Sequence, residues 1–195
     1  MKSILTMAWT AEDPAAFDLA ARLARSFGAK LVGPRYAHDA VRWPKMPESV
    51  FETALFDSGR PVLVVPQGFS GMVGKRILFA WNGSTESARA ISLAMPVLSG
   101  AESIDVLSVD GAMVPGPSSA EIAESLRSHG LNVTSQHVKP GSRTAGQTIV
   151  DTAIAGGADL IVKGAYTQSR LRQMIFGGMT RHLILSSPLP VLFSY

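Results

Sequence analysis

Cysteine is absent, which excludes disulfides, thiol catalysis and thiolate metal sites, and with them the usual clue to redox compartment. Charge is scarce as well. Asp, Glu, Lys and Arg make up 17% of the 195 residues, against about 25% in an average soluble domain. The balance is only +3 at pH 7, too small a surplus to call for a nucleic-acid partner. No apolar run approaches the roughly 18 residues of a membrane span. Met1-Lys2 and the apolar Ser3 to Trp9 mimic the start of a secretory signal, but Glu12 and Asp13 stop the run near the lower limit for such a segment. A cytoplasmic protein with no membrane and no nucleic-acid partner is expected. Apolar side chains, by contrast, fill 46% of the chain, which excludes extended disorder.

The apolar segments repeat. Ser3 to Trp9 reads like Arg76 to Trp81, and each is followed by a polar turn and an Ala/Leu-rich helical stretch, Pro14 to Phe27 and Thr85 to Leu98. Arg60 to Val65 resembles Leu189 to Ser194, each preceded by a short apolar-periodic segment, Val50 to Phe56 and Met179 to Leu185. The chain therefore divides into a first copy over residues 1–66, a Gly-rich linker over 67–74 and a second copy over 75–195. The first copy is much the shorter. It has one strand, one helix and a strand-like Lys30 to Gly33, then crosses 34–47 without pattern to its last helix and strand. It is a truncated version of the unit that the second copy holds in full.

In that second copy, short β-rich runs at Arg76 to Trp81, Ser103 to Val109, Val133 to Val138, Leu160 to Val162 and Pro190 to Ser194 predict five strands. Helical periodicity covers Thr85 to Leu98, Ala120 to His129, Thr144 to Ala155 and Met179 to Leu185, while Ser169 to Ile175 is polar and basic. Strands alternating with helices argue for an α/β fold, an open parallel sheet of Rossmann-like type with helices on both faces.

Such sheets bind ligands beyond the carboxyl ends of their strands, where strand order reverses. Asn82-Gly83-Ser84, Asp110-Gly111 and Lys163-Gly164-Ala165-Tyr166-Thr167 reach that edge. Phe176-Gly177-Gly178-Met179-Thr180 follows at a helix start, where two glycines allow close backbone approach and the first amides are unsatisfied. That is the geometry of a phosphate cradle. No acidic residue occurs from Leu160 to Tyr195, whereas Lys163, Arg170, Arg172 and Arg181 all do. Taken singly, Gly177-Gly178 reads as an ordinary loop ending before a helix and the basic run as a solvated face. Their coincidence at the sheet edge sets an anion site beside that reading.

Ile77 to Ser84 resembles the opening strand and turn of universal stress proteins. Asp159 to Gly164 resembles their fourth strand, and Gly177-Gly178-Met179-Thr180 to Leu192 their closing segment. The likeness spans 75–195, and the unequal halves are similar to tandem members with a shortened first unit. ATP-binding members carry Gly-x2-Gly-x9-Gly-(Ser/Thr). Gly164 and Gly177 match that signature; Thr167 stands for its second glycine and Gly178 for its hydroxyl residue, with Thr180 two positions on. The family's acidic residue after the first strand is Asn82 here. The resemblance implies a nucleotide site formed by Asn82 and Val109 near the base, with Lys163, Gly164, Thr167, Gly177, Gly178, Met179 and Thr180 about the ribose and phosphates. One lost hydroxyl contact costs about 1–3 kcal/mol, roughly five- to a hundredfold in affinity. Weak binding of ATP with magnesium, or of AMP, is therefore expected. In the first copy Glu48-Ser49 stands opposite Gly177-Gly178; a glutamate opposes an anion at a helix start, so no site is expected there.

The four histidines, His38, His129, His137 and His182, lack metal-ligand spacing and read as surface or capping residues. No Gly-x-Ser-x-Gly turn follows a strand; Ser84 reads as a helix cap, and Trp9, Trp81, Met174 and Met179 as core. The expectation is a non-enzymatic stress-response module. Two alternatives stand beside it: an interaction module with a vestigial site, and an ATP hydrolase, for which Asp110 is the one nearby carboxylate. Pro190 to Ser194 reads as an apolar edge strand needing a partner. Either Arg60 to Val65 pairs with it within the chain, or two chains form a homodimer through it.

Overall fold

The computed structural model describes residues 2–8, 21, 29–32, 51, 55–56, 59–66, 69–165 and 178–195, with the strands at 2–8 and 29–32 defined by their backbone. The predicted helix over 14–27, apart from Ala21, and the segments 34–47 and 169–175 lie outside these residues. Eight strands form one sheet: β1 (Lys2–Ala8), β2 (Ala29–Val32), β3 (Val62–Val65), β4 (Arg76–Ala80), β5 (Ser103–Val109), β6 (Val133–Val138), β7 (Leu160–Gly164) and β8 (Val191–Ser194). We number the helices of the second copy α1 (Thr85–Leu98), α2 (Ser119–Ser128), α3 (Ala145–Ala155) and α4 (Gly178–Ser186).

Local chemistry starts and stops these helices where the sequence indicates. Ser84 caps α1 by accepting from Ser87 N–H, and Ser118 and Thr144 form reciprocal capping boxes with Glu121 and Gln147. Gly130, at φ +79°, lets the chain turn left-handed after α2.

The strand order is β2-β1-β3-β8-β7-β4-β5-β6. Every pair is parallel except β3 with β8, where Val62, Leu63 and Val64 face Phe193, Leu192 and Val191. Strands β1 to β3 and β4 to β8 thus belong to one sheet, with β3 and β8 antiparallel where they meet. β3 pairs directly with β1, Leu5 facing Val62 and Ala8 facing Val65. β8 has a neighbour on each side within the chain, β3 and β7. The strand expected to need a partner is therefore covered internally, and the between-chain alternative is not required to satisfy it.

Alternate residues of the central strands feed two apolar layers. One face packs Ile77, Phe79, Val106 and Val162 under α1 and α2, through Ala90, Ala94, Leu98 and Leu126. The other packs Leu78, Leu107, Ile161 and Phe193 under α3 and α4, through Ile149, Ala153, Leu183 and Ile184. Phe51 of the first copy joins this second layer, its ring edge-on to Phe193 at 5.2 Å. The start of β4 is fixed by one carboxylate. Asp159 accepts from the N–H groups of Gly74, Lys75 and Arg76 at 2.8–3.1 Å, tying the end of the linker to the entry of β7.

Candidate functional site

β4 lies between β5 and β7; the chain runs from it to β5 and β6 on one side and then crosses back to β7 on the other, and this is where the strand order reverses. At the carboxyl ends of these strands is a shallow cleft open to solvent, with enclosed room for about one water molecule. Asn82, Val109, Lys163, Gly164 and Met179 line it, so residues from four separate segments of the sequence meet at one place. Thr180 joins them through Lys163, and Gly178 opens α4 beside Met179. Thr167 and Gly177 lie outside the described residues, as do Arg170 and Arg172.

Asn82 works as a helix-start device. Its Oδ1 accepts from Ser84 N–H at 3.2 Å, from Ser84 Oγ at 2.7 Å and from Ser87 Oγ, and both serines are buried. Its backbone carbonyl accepts from Val114 N–H at 2.8 Å. The loop after β5 lies against this turn so closely that a Cβ on Gly116 would sit 2.2 Å from Gly83 O, and Gly83 itself has φ +85°. Trp81 Nε1–H donates to Pro117 O at 2.7 Å, fastening the same loop over the end of β4. Trp81 is core, as expected, at 3% exposure.

Lys163 is the cleft's one buried cation among the described residues, at 7% exposure. Its Nζ donates to Gly164 O at 2.7 Å and to Thr180 Oγ1 at 3.4 Å, and no carboxylate among the described residues bonds to it. Removing an ammonium from water without a counter-ion disfavours its charged form. Burial accordingly pushes the Lys163 pKa down from 10.5 to about 8.

The glycines differ in what they do. A Cβ on Gly164 would lie 2.6 Å from Ser87 N and 2.7 Å from Glu86 C, so its bareness admits the first turn of α1. Gly178 has nothing within 4 Å of where its Cβ would be. His182 packs on Gly146 of α3, whose Cβ would come within 2.9 Å of the His182 Cβ.

One constellation escaped the sequence reading. Asp110 Oδ1 meets His137 Nε2 at 2.6 Å, His137 Nδ1 meets Ser108 Oγ at 2.8 Å, and Ser108 Oγ meets Ser119 Oγ at 3.0 Å. His137, a surface residue as expected, is also the centre of this array. The order imitates a hydrolase triad, but Ser108 is 2% exposed, so no substrate carbonyl reaches its hydroxyl. The array instead joins β5, β6 and the first turn of α2. Only the parallel register, which sets Ser108 opposite His137, brings it into view. His129, by contrast, caps α2, its Nδ1 lying 2.8 Å from Ser125 O. No group of three or more metal-ligating side chains occurs among the described residues. No helix there is long and apolar enough to cross a membrane.

A model of the universal stress protein family matches residues 74–194. Among solved structures, a universal stress protein from Archaeoglobus fulgidus DSM 4304 is similar at TM-score 0.57 and 21% identity, covering 74% of this chain and 56% of its own. The chain thus spans little more than half the length of that protein. Another universal stress protein from Archaeoglobus fulgidus matches at TM-score 0.46 and 23% identity, over 64% of this chain and 96% of its own. Universal stress protein UspA from Lactobacillus plantarum matches at TM-score 0.46 and 18% identity, over 64% of this chain and 100% of its own. No curated protein matches. At such identities the first of these likenesses speaks to the fold.

Proposed function

The chain belongs to the universal stress protein family, and on that premise we propose that it is a non-enzymatic, cytoplasmic stress-response module whose second copy binds an adenine nucleotide weakly. The observation that carries this reading is the meeting of Asn82, Val109, Lys163, Gly164 and Met179 in one cleft at the switch point of the sheet. Val109 and Met179 offer apolar surface to a base. Lys163 offers a charge to a phosphate, beside the outward amides at the start of α4. The cleft encloses room for only about one water molecule, far under the roughly 300–1,000 Å3 typical of ligand pockets, so most of a nucleotide would lie on the surface. The engaged Asn82 carboxamide leaves its Oδ1 no lone pair for a ribose hydroxyl. Both features favour weak binding. Against a hydrolase stands Asp110, whose carboxylate is taken up by His137.

A second reading is an interaction module with a vestigial site, and the packing of α1 on Gly164 favours it, because that glycine is already used by the fold. Calorimetric titration with ATP and magnesium separates the two. The nucleotide reading expects weak binding, tightened roughly five- to a hundredfold by Gly178→Ser, which restores the hydroxyl where space is free. Absence of heat from both proteins would leave the interaction module.

A further inference from the structure

The cleft is closed on one side by a loop. Residues 110–118 run from the end of β5, over the end of β4, to the cap of α2, and none of them is buried. The two ends of this span are fixed. Asp110 N–H donates to Val138 O at 2.9 Å, and the series Asp110–His137–Ser108–Ser119 joins its start to the first turn of α2. Between these posts it is held at few points. Ala112 lines the cleft, and Met113 packs against the apolar layer that contains Trp81. Val114 N–H donates to Asn82 O at 2.8 Å, and Pro117 O accepts from Trp81 Nε1–H at 2.7 Å. Both partners, Asn82 and Trp81, also line the cleft.

Two glycines stand where such a span would bend. Gly111 has φ +75° with open space around it, and Gly116 lies between Pro115 and Pro117, whose fixed φ leaves rotation to the glycine. A surface segment held by two hydrogen bonds and half-buried side chains opens more readily than the strands beneath it. Enclosed room for about one water molecule admits neither a base nor a phosphate. We propose that residues 111–117 form a lid, hinged at Gly111 and Gly116, which closes the cleft onto Asn82 and Trp81 and lifts to admit a nucleotide. Lifting it takes Ala112, one wall of the cleft, away from the others. The identity of the ligand rests on the nucleotide reading above; the movement of the lid does not. Apparent affinity scales with the fraction of molecules that are open, so a lid that is mostly closed keeps binding weak and a variant that holds it open binds more tightly.

The test uses the full chain and two variants that free the lid by different means. In Gly116→Ala the added Cβ would fall 2.2 Å from Gly83 O, so the lid cannot seat where it now lies. In Trp81→Phe the indole donor to Pro117 O is lost. Amide hydrogen exchange, resolved by NMR, is compared at Val114 in the lid and at Val106 and Ile161 in β5 and β7. The expected result is exchange at Val114 at least about tenfold faster in both variants, with Val106 and Ile161 unchanged within about twofold. Calorimetric titration with ATP and magnesium should then show binding about three- to tenfold tighter in both variants than in the parent. Unchanged exchange at Val114 would overturn the lid, and so would an acceleration shared equally by Val106 and Ile161, which would mean that the whole fold had loosened. A released Val114 with ATP affinity equal to or below the parent's would overturn its role as a gate. Absence of ATP binding to all three proteins, with Val114 still released, would overturn the nucleotide reading and leave the lid standing.

Discussion

Ser87 rests directly on Gly164. Its backbone nitrogen is where a side chain at 164 would have to begin, 2.6 Å from the position of that Cβ. The glycine that resembles the head of a nucleotide signature is therefore also the floor on which α1 stands. Both neighbouring atoms are backbone, so neither can turn aside. Gly164→Ala should destabilise the fold by about 1–3 kcal/mol, read as a lowered urea midpoint with an unchanged slope. An unchanged midpoint would mean that α1 moves freely on β7.

Asn82 gives a second prediction about the same turn. Its Oδ1 receives two hydroxyls and one amide, and all three lose their acceptor in Asn82→Ala. The expected loss is about 1–2 kcal/mol. Asn82→Asp keeps the acceptor and places negative charge at the start of α1, so it should match or slightly exceed the parent in thermal stability. A destabilised Asn82→Asp would contradict the capping role.

The Asp110–His137–Ser108 array should prove structural. Ser108→Ala removes a buried hydroxyl that links His137 to Ser119, and should cost about 1–2 kcal/mol. Hydrolysis of a simple activated ester should be the same for parent and variant, within the background rate. A clear loss of ester hydrolysis in Ser108→Ala would show that the hydroxyl reaches solvent chemistry after all.

Lys163 makes stability depend on pH in a definite direction. Its folded pKa of about 8 lies below the ordinary 10.5. Below about pH 8 both states hold the proton and the folded state bears the whole cost of burying it. Between the two values the unfolded chain still holds a proton that the folded chain has released, so this group's contribution to stability rises with pH. Lys163→Met should therefore be more stable than the parent at neutral pH by roughly 1–3 kcal/mol, with the difference shrinking toward pH 10. A difference that stays constant with pH would rule out this account of the lysine.

Much of the fold can be read from the chain because its second copy is locally consistent. Ser84, Ser118 and Thr144 announce three helices, Gly130 ends one, and the unbroken apolar run before Lys163 marks a strand buried on both faces. The pairing of Val62 to Val64 with Val191 to Phe193 was legible as one of two options, since an apolar strand needs a neighbour but its sequence does not say from which chain. Other features stay hidden because they depend on register or packing depth. Nothing near Ser108 points to His137 until β5 and β6 are set side by side. Gly164 looks like a ligand residue in sequence, and only the approach of α1 shows its second duty. The burial of Lys163 is likewise invisible to composition, since it sits in a run that reads as basic and solvated.

The central claim is that the cleft between β4, β5 and β7 is a nucleotide site. Amide chemical shifts of the isotopically labelled full chain, followed during titration with ATP and magnesium, test it most directly. The account predicts saturable shifts at Val109, Ala112, Gly164 and Met179, with the far ends of the same strands, such as Arg76 and Ser103, unmoved. Shifts absent at millimolar nucleotide, or confined to residues outside the cleft, would contradict it.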